Sequence, residues 1–114
     1  MRLDTLYLEN KSNEWISVDL DGTMAKDNGW KGIEHIGKPI DKMVERVKRW
    51  LKQGKTVKVF TARAEDPKSK PYIKDFCREV FGKVLPITNK KDKWMVELWD
   101  DRARRVEKNT GVEL

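Results

Sequence analysis

The sequence predicts an α/β fold built on a mainly parallel sheet, and three observations lead there. Short apolar runs with β-branched centres recur at 15–20, 56–61, 84–88 and 94–99, each long enough for one strand. Two of the intervals between them carry apolar residues at three- and four-residue spacing, as amphipathic helices do. All four runs end in polar residues. Strands alternating with helices imply parallel neighbours joined by right-handed crossovers.

A chain of 114 residues fits one domain, 1–114, and leaves no room for a second. Its 38% hydrophobic residues, five of them tryptophan, suffice for a modest core. With 39% charged residues and a net charge of +6, the surface is densely ionic and basic overall. That balance favours anionic partners such as phosphates or nucleic acid, or is simply a solvated basic surface. Cys77, the single cysteine, excludes an intrachain disulfide and fits a reducing compartment. No apolar run approaches the ~20 residues of a membrane span, and no leader-like segment opens the chain. The expectation is a cytoplasmic protein with no membrane partner.

Residues 3–8 read as an edge strand or an ordered tail, and 10–13 as a turn. The strand at 15–20 comes next. Residues 24–38 hold Gly29, Gly32 and Gly37, too many glycines for a helix, and read as a flap over the end of that strand. Trp30 and His35 are its candidate lid residues. Pro39 opens a helix favourably because its missing N–H costs nothing in the first turn. Ile40, Met43, Val44, Val47, Trp50 and Leu51 then form the apolar stripe, and Gly54 ends it. After the strand at 56–61, a second helix is expected from Pro67 or Lys68 to Gly82. Tyr72, Ile73, Phe76, Cys77 and Val80 lie on one side of it, with Cys77 as a core residue. Pro86 places the third strand at a sheet edge. The charged segment 90–93 precedes the fourth strand, and 101–109 read as a short helix.

The chemistry gathers where those strands end. Asp19 and Asp21 are spaced i, i+2, so on a strand both carboxylates share one face. Asp-Gly alone is also a type I′ turn pair, but two acids closing a buried strand are costly unless a cation or substrate uses them. Thr61 closes the second strand, Lys90-Lys91 follow the third, and Asp100-Asp101 close the fourth. In open parallel sheets ligands bind outside those carboxyl ends. Such a set suits Mg²⁺, which takes oxygen ligands, together with a phosphate. A carboxylate can attack phosphorus, and a second can move the protons. The turn at Gly22, the Thr61 hydroxyl and a lysine suit the phosphoryl oxygens.

Asp19-Leu20-Asp21-Gly22-Thr23, Val59-Phe60-Thr61-Ala62-Arg63, Lys91 and Trp99-Asp100-Asp101-Arg102 together resemble the four motifs of the haloacid dehalogenase (HAD) superfamily of phosphotransferases. The resemblance implies a single Rossmann-like three-layer domain, and the short intervals between motifs leave a HAD-like core without a cap domain. It makes Asp19 the nucleophile and Asp21 the acid/base. Thr61 would bind phosphate, with Gly22, Thr23, Ala62 and Arg63 around it. The Thr88-Asn89-Lys90-Lys91 run resembles the Thr-Asn-x-Lys spacing of small members of that family, which favours Lys91 over Lys90 as the lysine. Mg²⁺ would be held by Asp19, the main-chain carbonyl of Asp21, Asp100 directly, and Asp101 directly or through water.

The expected activity is Mg²⁺-dependent phosphomonoester hydrolysis through an aspartyl-phosphate. A nucleotide or nucleic-acid terminal phosphate is the expected substrate, since Arg63 and Arg102 flank the motifs; both also read as ion-pair residues. Asp-Asp-Arg is similar to the phosphatase half of polynucleotide kinase-phosphatases. The alternative is a catalytically silent HAD-like module that binds a phosphorylated or nucleic-acid partner. Dehalogenation is disfavoured because it needs no acid/base at Asp21.

Overall fold

The computed structural model describes residues 13–114, so the expectations for 3–8 and most of the turn at 10–13 lie outside the described residues. In chain order come β1 (Trp15–Val18), α1 (Asp41–Lys52), β2 (Thr56–Phe60), 3-10 turns at Ala62–Glu65 and Pro67–Ser69, α2 (Lys70–Phe81), β3 (Ile87–Thr88) and β4 (Met95–Trp99). The strands form one sheet in the order β3-β2-β1-β4, and every neighbouring pair is parallel. From β1 the chain moves outward through β2 to β3, then crosses back to place β4 on the other side of β1. The strand order therefore reverses between β1 and β4. Pro86 precedes the edge strand β3, as its missing donor requires.

In-register pairing of Ile16 with Val57 and of Val18 with Val59 puts four apolar side chains on one face. Met43, Val47 and Trp50 of α1, and Ile73, Phe76 and Cys77 of α2, join the same buried cluster. Both helices thus cover a single face of the sheet. Burial pushes the Cys77 thiol above its usual range, consistent with an inert core cysteine. On the opposite face the Trp15 indole donates to Asp92 Oδ1 at 2.9 Å, and the Lys58 ammonium lies 4.6 Å from the Trp15 ring centroid. The structure is thus α/β with an all-parallel four-stranded sheet. Among the described residues, however, it has one helical layer where three layers in all were expected.

Several boundaries differ from the periodicity reading. Pro39 does not open α1: Ile40 is the N-cap and Asp41 the first helical residue. Pro39 instead pairs with Ala25 across the neck of the flap, where it needs no donor. The neck is closed by Lys26 N–H to Lys38 O at 2.8 Å and Ile40 N–H to Met24 O at 2.7 Å. α2 starts at Lys70, later than expected, because the two 3-10 turns take up 62–69. Gly82 ends it in the left-handed region, φ 74°, with its N–H on Arg78 O. Residues 101–109 form no helix. They lead into a hairpin in which Val106 bridges Glu113 and Asn109 takes a positive φ of 68°. Every residue of that segment is exposed, so no packing surface favours a helix there.

Among the described residues, no helix is long and apolar enough to cross a membrane. Ile73 is fully buried in the joint between sheet and α2, so Ile73→Ala is expected to cost about 2–5 kcal/mol. Urea unfolding with an unchanged m-value checks it.

Candidate active site

Asp19 follows β1, and its N–H donates to Trp99 O at 2.9 Å, which ties the end of β1 to the end of β4. Asp100 and Asp101 follow directly. One carboxylate oxygen from each of Asp19, Asp100 and Asp101 falls within a 4.8 Å group. These three acids meet where the strand order reverses, the position at which open parallel sheets place ligands.

The turn after β1 winds around the fully buried Leu20, whose carbonyl accepts from the N–H groups of Thr23, Met24 and Ala25 at 3.2, 3.0 and 2.9 Å. Gly22 donates to Ala25 O at 2.7 Å, so the N–H groups of Gly22 and Thr23 are used inside the turn. Gly22 has a second function. Its φ is +87°, and a Cβ there would lie 2.6 Å from Asp101 Oδ2, so only glycine lets Asp101 close in. The Thr23 hydroxyl accepts from Asp101 N–H at 3.1 Å and lies 3.4 Å from both Asp19 Oδ2 and Asp101 Oδ1. Its one proton serves one of those carboxylates at a time.

Burial first, then the Asp100 charge, and to a lesser degree Asp101, push the Asp19 carboxyl from 3.8 up to about 7, against an opposing hydrogen bond from Leu20 N–H. Three acids this close repel one another unless a cation sits among them. An all-oxygen donor set of this kind fits Mg²⁺, which takes one or two carboxylates and keeps waters.

Asp21 points elsewhere. Arg63 grips it with both prongs, Nε to Oδ2 at 2.7 Å and Nη2 to Oδ1 at 2.9 Å. The same guanidinium donates to Ile33 O at 3.3 Å and His35 O at 2.8 Å, and sits 4.9 Å from the Trp30 ring centroid. Arg63 therefore clasps the flap to the end of β1 and is spent in doing so, in line with its ion-pair reading. His35 contributes its carbonyl to this clasp. Asp21 lies outside the three-acid group. Thr61, which is buried, accepts from Arg63 N–H at 3.2 Å, leaving its hydroxyl proton to donate. Ser69, also buried, bonds the carbonyls of Arg63 and Asp66 and fixes the double 3-10 turn.

These elements enclose a cleft of about 840 Å³. Of the residues singled out at the strand ends, Asp19, Asp21, Asp100, Thr61, Ala62 and Arg63 line it, and Gly22, Thr23 and Asp101 do not. Lys90 and Lys91 are exposed and neither lines it. Sequence reading missed Asp27, Glu65 and Asp66, which also line it. Asp66 did leave a signal, since Asp-Pro marks a turn start, and its carboxylate accepts from Lys68 N–H at 2.9 Å. Glu65 left none. Comparison with protein-family models, curated proteins and solved structures finds no match to the chain.

Two expectations concern stability. The Asp19 carboxyl ionises near 3.8 when unfolded and near 7 when folded. Between those values the folded chain holds the extra proton, so stability falls as pH rises towards 7. In chelator, Asp19→Asn is expected to raise stability by about 1–2 kcal/mol at pH 8, after discounting for partial exposure. The gain should vanish near pH 4; an equal rise in Tm at both pH values contradicts it. Arg63→Ala leaves Asp21 unpaired and releases the flap, and should cost about 3 kcal/mol. Hydrogen exchange should then accelerate across 30–36 while α2 keeps its protection.

Proposed function

We propose that the protein is a phosphomonoester hydrolase of the HAD type that uses Mg²⁺ and an aspartyl-phosphate intermediate. The observation that carries this reading is the convergence of Asp19, Asp100 and Asp101 at the switch between β1 and β4. The order of the four motifs, beginning with Asp19-Leu20-Asp21-Gly22-Thr23, supports it, as does the β3-β2-β1-β4 sheet that brings their strand ends together.

Asp19 is the nucleophile: one carboxylate oxygen attacks phosphorus, and the bond from phosphorus to the substrate's alcohol oxygen breaks. Asp21 gives a proton to the leaving oxygen, then takes one from the water that attacks the phosphorus of the aspartyl-phosphate. Phosphate leaves and Asp19 is regenerated. Because Arg63 engages both Asp21 oxygens, each proton transfer needs one of them to leave the guanidinium fork. Thr61 and Arg102 both line the cleft, and the hydroxyl of one and the guanidinium of the other are the donors for the phosphoryl oxygens. Mg²⁺ held by Asp19, Asp100 and Asp101 would neutralise the charge that gathers on those oxygens.

A second reading is a silent module that binds a phosphorylated partner without turnover. The position of Lys91 outside the cleft lining favours it, because phosphoryl transfer in this family uses a lysine. Hydrolysis of p-nitrophenyl phosphate with Mg²⁺ separates the two. Asp19→Asn should retain no more than a few per cent of the wild-type rate, about two orders of magnitude lost, with the fold intact. Asp100→Asn should shift the Mg²⁺ titration to higher concentration. Wild-type turnover no greater than that of Asp19→Asn would leave the binding module as the function.

A further inference from the structure

We propose that the cleft selects small phosphomonoesters whose leaving group is uncharged or cationic, and turns away a phosphorylated nucleic-acid end. This rests on the phosphatase reading and narrows its substrate. The chain as a whole carries +6, but that charge is not at the cleft. On α1, Lys42, Lys48, Arg49 and Lys52 are exposed, and none of them lines it.

Besides Asp19, Asp21 and Asp100, the cleft is walled by Asp27 from the flap and by Glu65 and Asp66 from the 3-10 turns. All three are exposed. Trp30 completes the wall and is 67% exposed, with the Arg63 guanidinium 4.9 Å from its ring centroid. Of the two arginines among the lining residues, Arg63 has a side chain only 8% exposed and consumed by Asp21 and two flap carbonyls. That leaves Arg102 among the described lining residues, enough to meet one phosphoryl group.

A strand of nucleic acid brings one negative charge per nucleotide to such a wall, and like charges at these separations repel. An ammonium-bearing or neutral alcohol meets carboxylates it can pair or hydrogen-bond with, and an aromatic face. The sign of the salt effect distinguishes this from a nucleic-acid interface. Binding through basic contacts weakens as salt rises, whereas repulsion is screened and relieved.

The experiment compares p-nitrophenyl phosphate, phosphocholine and a 3′-phosphorylated oligothymidylate with Mg²⁺, at about 50 and about 200 mM KCl. p-Nitrophenyl phosphate reports the chemistry itself. Expected is a kcat/KM for phosphocholine at least about tenfold above that for the oligonucleotide, with the oligonucleotide rate rising in salt. Glu65 is the wall residue to change, because Asp27 and Asp66 also close turns through Gly29 and Lys68 N–H groups. Glu65→Lys should shrink the phosphocholine-to-oligonucleotide ratio about five- to tenfold, and Glu65→Gln by a smaller factor in the same direction. A preference for the oligonucleotide, a rate on it that falls with salt, or a ratio indifferent to both variants overturns the inference. If none of the three esters is hydrolysed, the phosphatase reading fails and the wall is tested by binding. The Trp30 indole resonance, assigned with Trp30→Phe, should then shift with phosphocholine and not with the oligonucleotide; any other pattern overturns the inference.

Discussion

Arg63 is the residue through which the parts of the site hold together. Its backbone N–H donates to the hydroxyl of Thr61, the capping residue just past β2, and its carbonyl accepts from the Ser69 hydroxyl. Its side chain grips Asp21 beyond β1 and two carbonyls of the flap. A guanidinium can do this because its donors form a rigid planar fork, matched to a carboxylate on one edge and free to reach carbonyls on the other. Lysine, with a single ammonium, has no such geometry. The flap has few buried apolar residues of its own, so its position depends on this clasp and on the short pairing at its neck.

The clasp also divides the acids into two groups with different electrostatics. Asp21 is paired, while Asp19, Asp100 and Asp101 face one another with no cationic side chain of the described residues bonded to them. Burial, and after it the charge of Asp100, keep a proton on Asp19 up to about pH 7, which is a standing cost of the fold in the absence of a cation. Sites assembled for charged ligands commonly carry such a cost. Gly22 and Thr23 are the devices that bring the acids so close: one leaves room for Asp101, and the other places a hydroxyl between two carboxylates.

Much of the architecture was legible because it follows from periodicity and punctuation. The order of strands and amphipathic helices, the edge position of β3 and the helix stop at Gly82 follow apolar spacing, proline and glycine, although β3 is only Ile87–Thr88 where 84–88 was expected and both helices start later than expected. Legibility ended where local pattern stops deciding structure. Pro39 looked like a helix opener but serves the flap neck, because pairing with Ala25 fixes the chain before the helix starts. Residues 101–109 carry enough helix-compatible residues to mislead, yet no described surface packs on them. The 3-10 turns at 62–69 depend on buried Ser69 hydrogen-bonding two carbonyls, which no spacing announces.

By itself, then, the sequence determined an α/β chain with four polar strand ends, and named Asp19, Asp21, Thr61 and the Asp100-Asp101 pair as the residues to watch. Period and turn chemistry are local, and they survive reading one residue after another. Which acids meet, and which is neutralised, was decided by tertiary structure alone. Strand order sets β4 beside β1 and so brings Asp100 and Asp101 to Asp19, while the clasp of Arg63 takes Asp21 out of that group. Charge behaves likewise: +6 is a property of the composition, but the acidic lining of the cleft exists only because folding brings Asp27 of the flap together with Glu65 and Asp66.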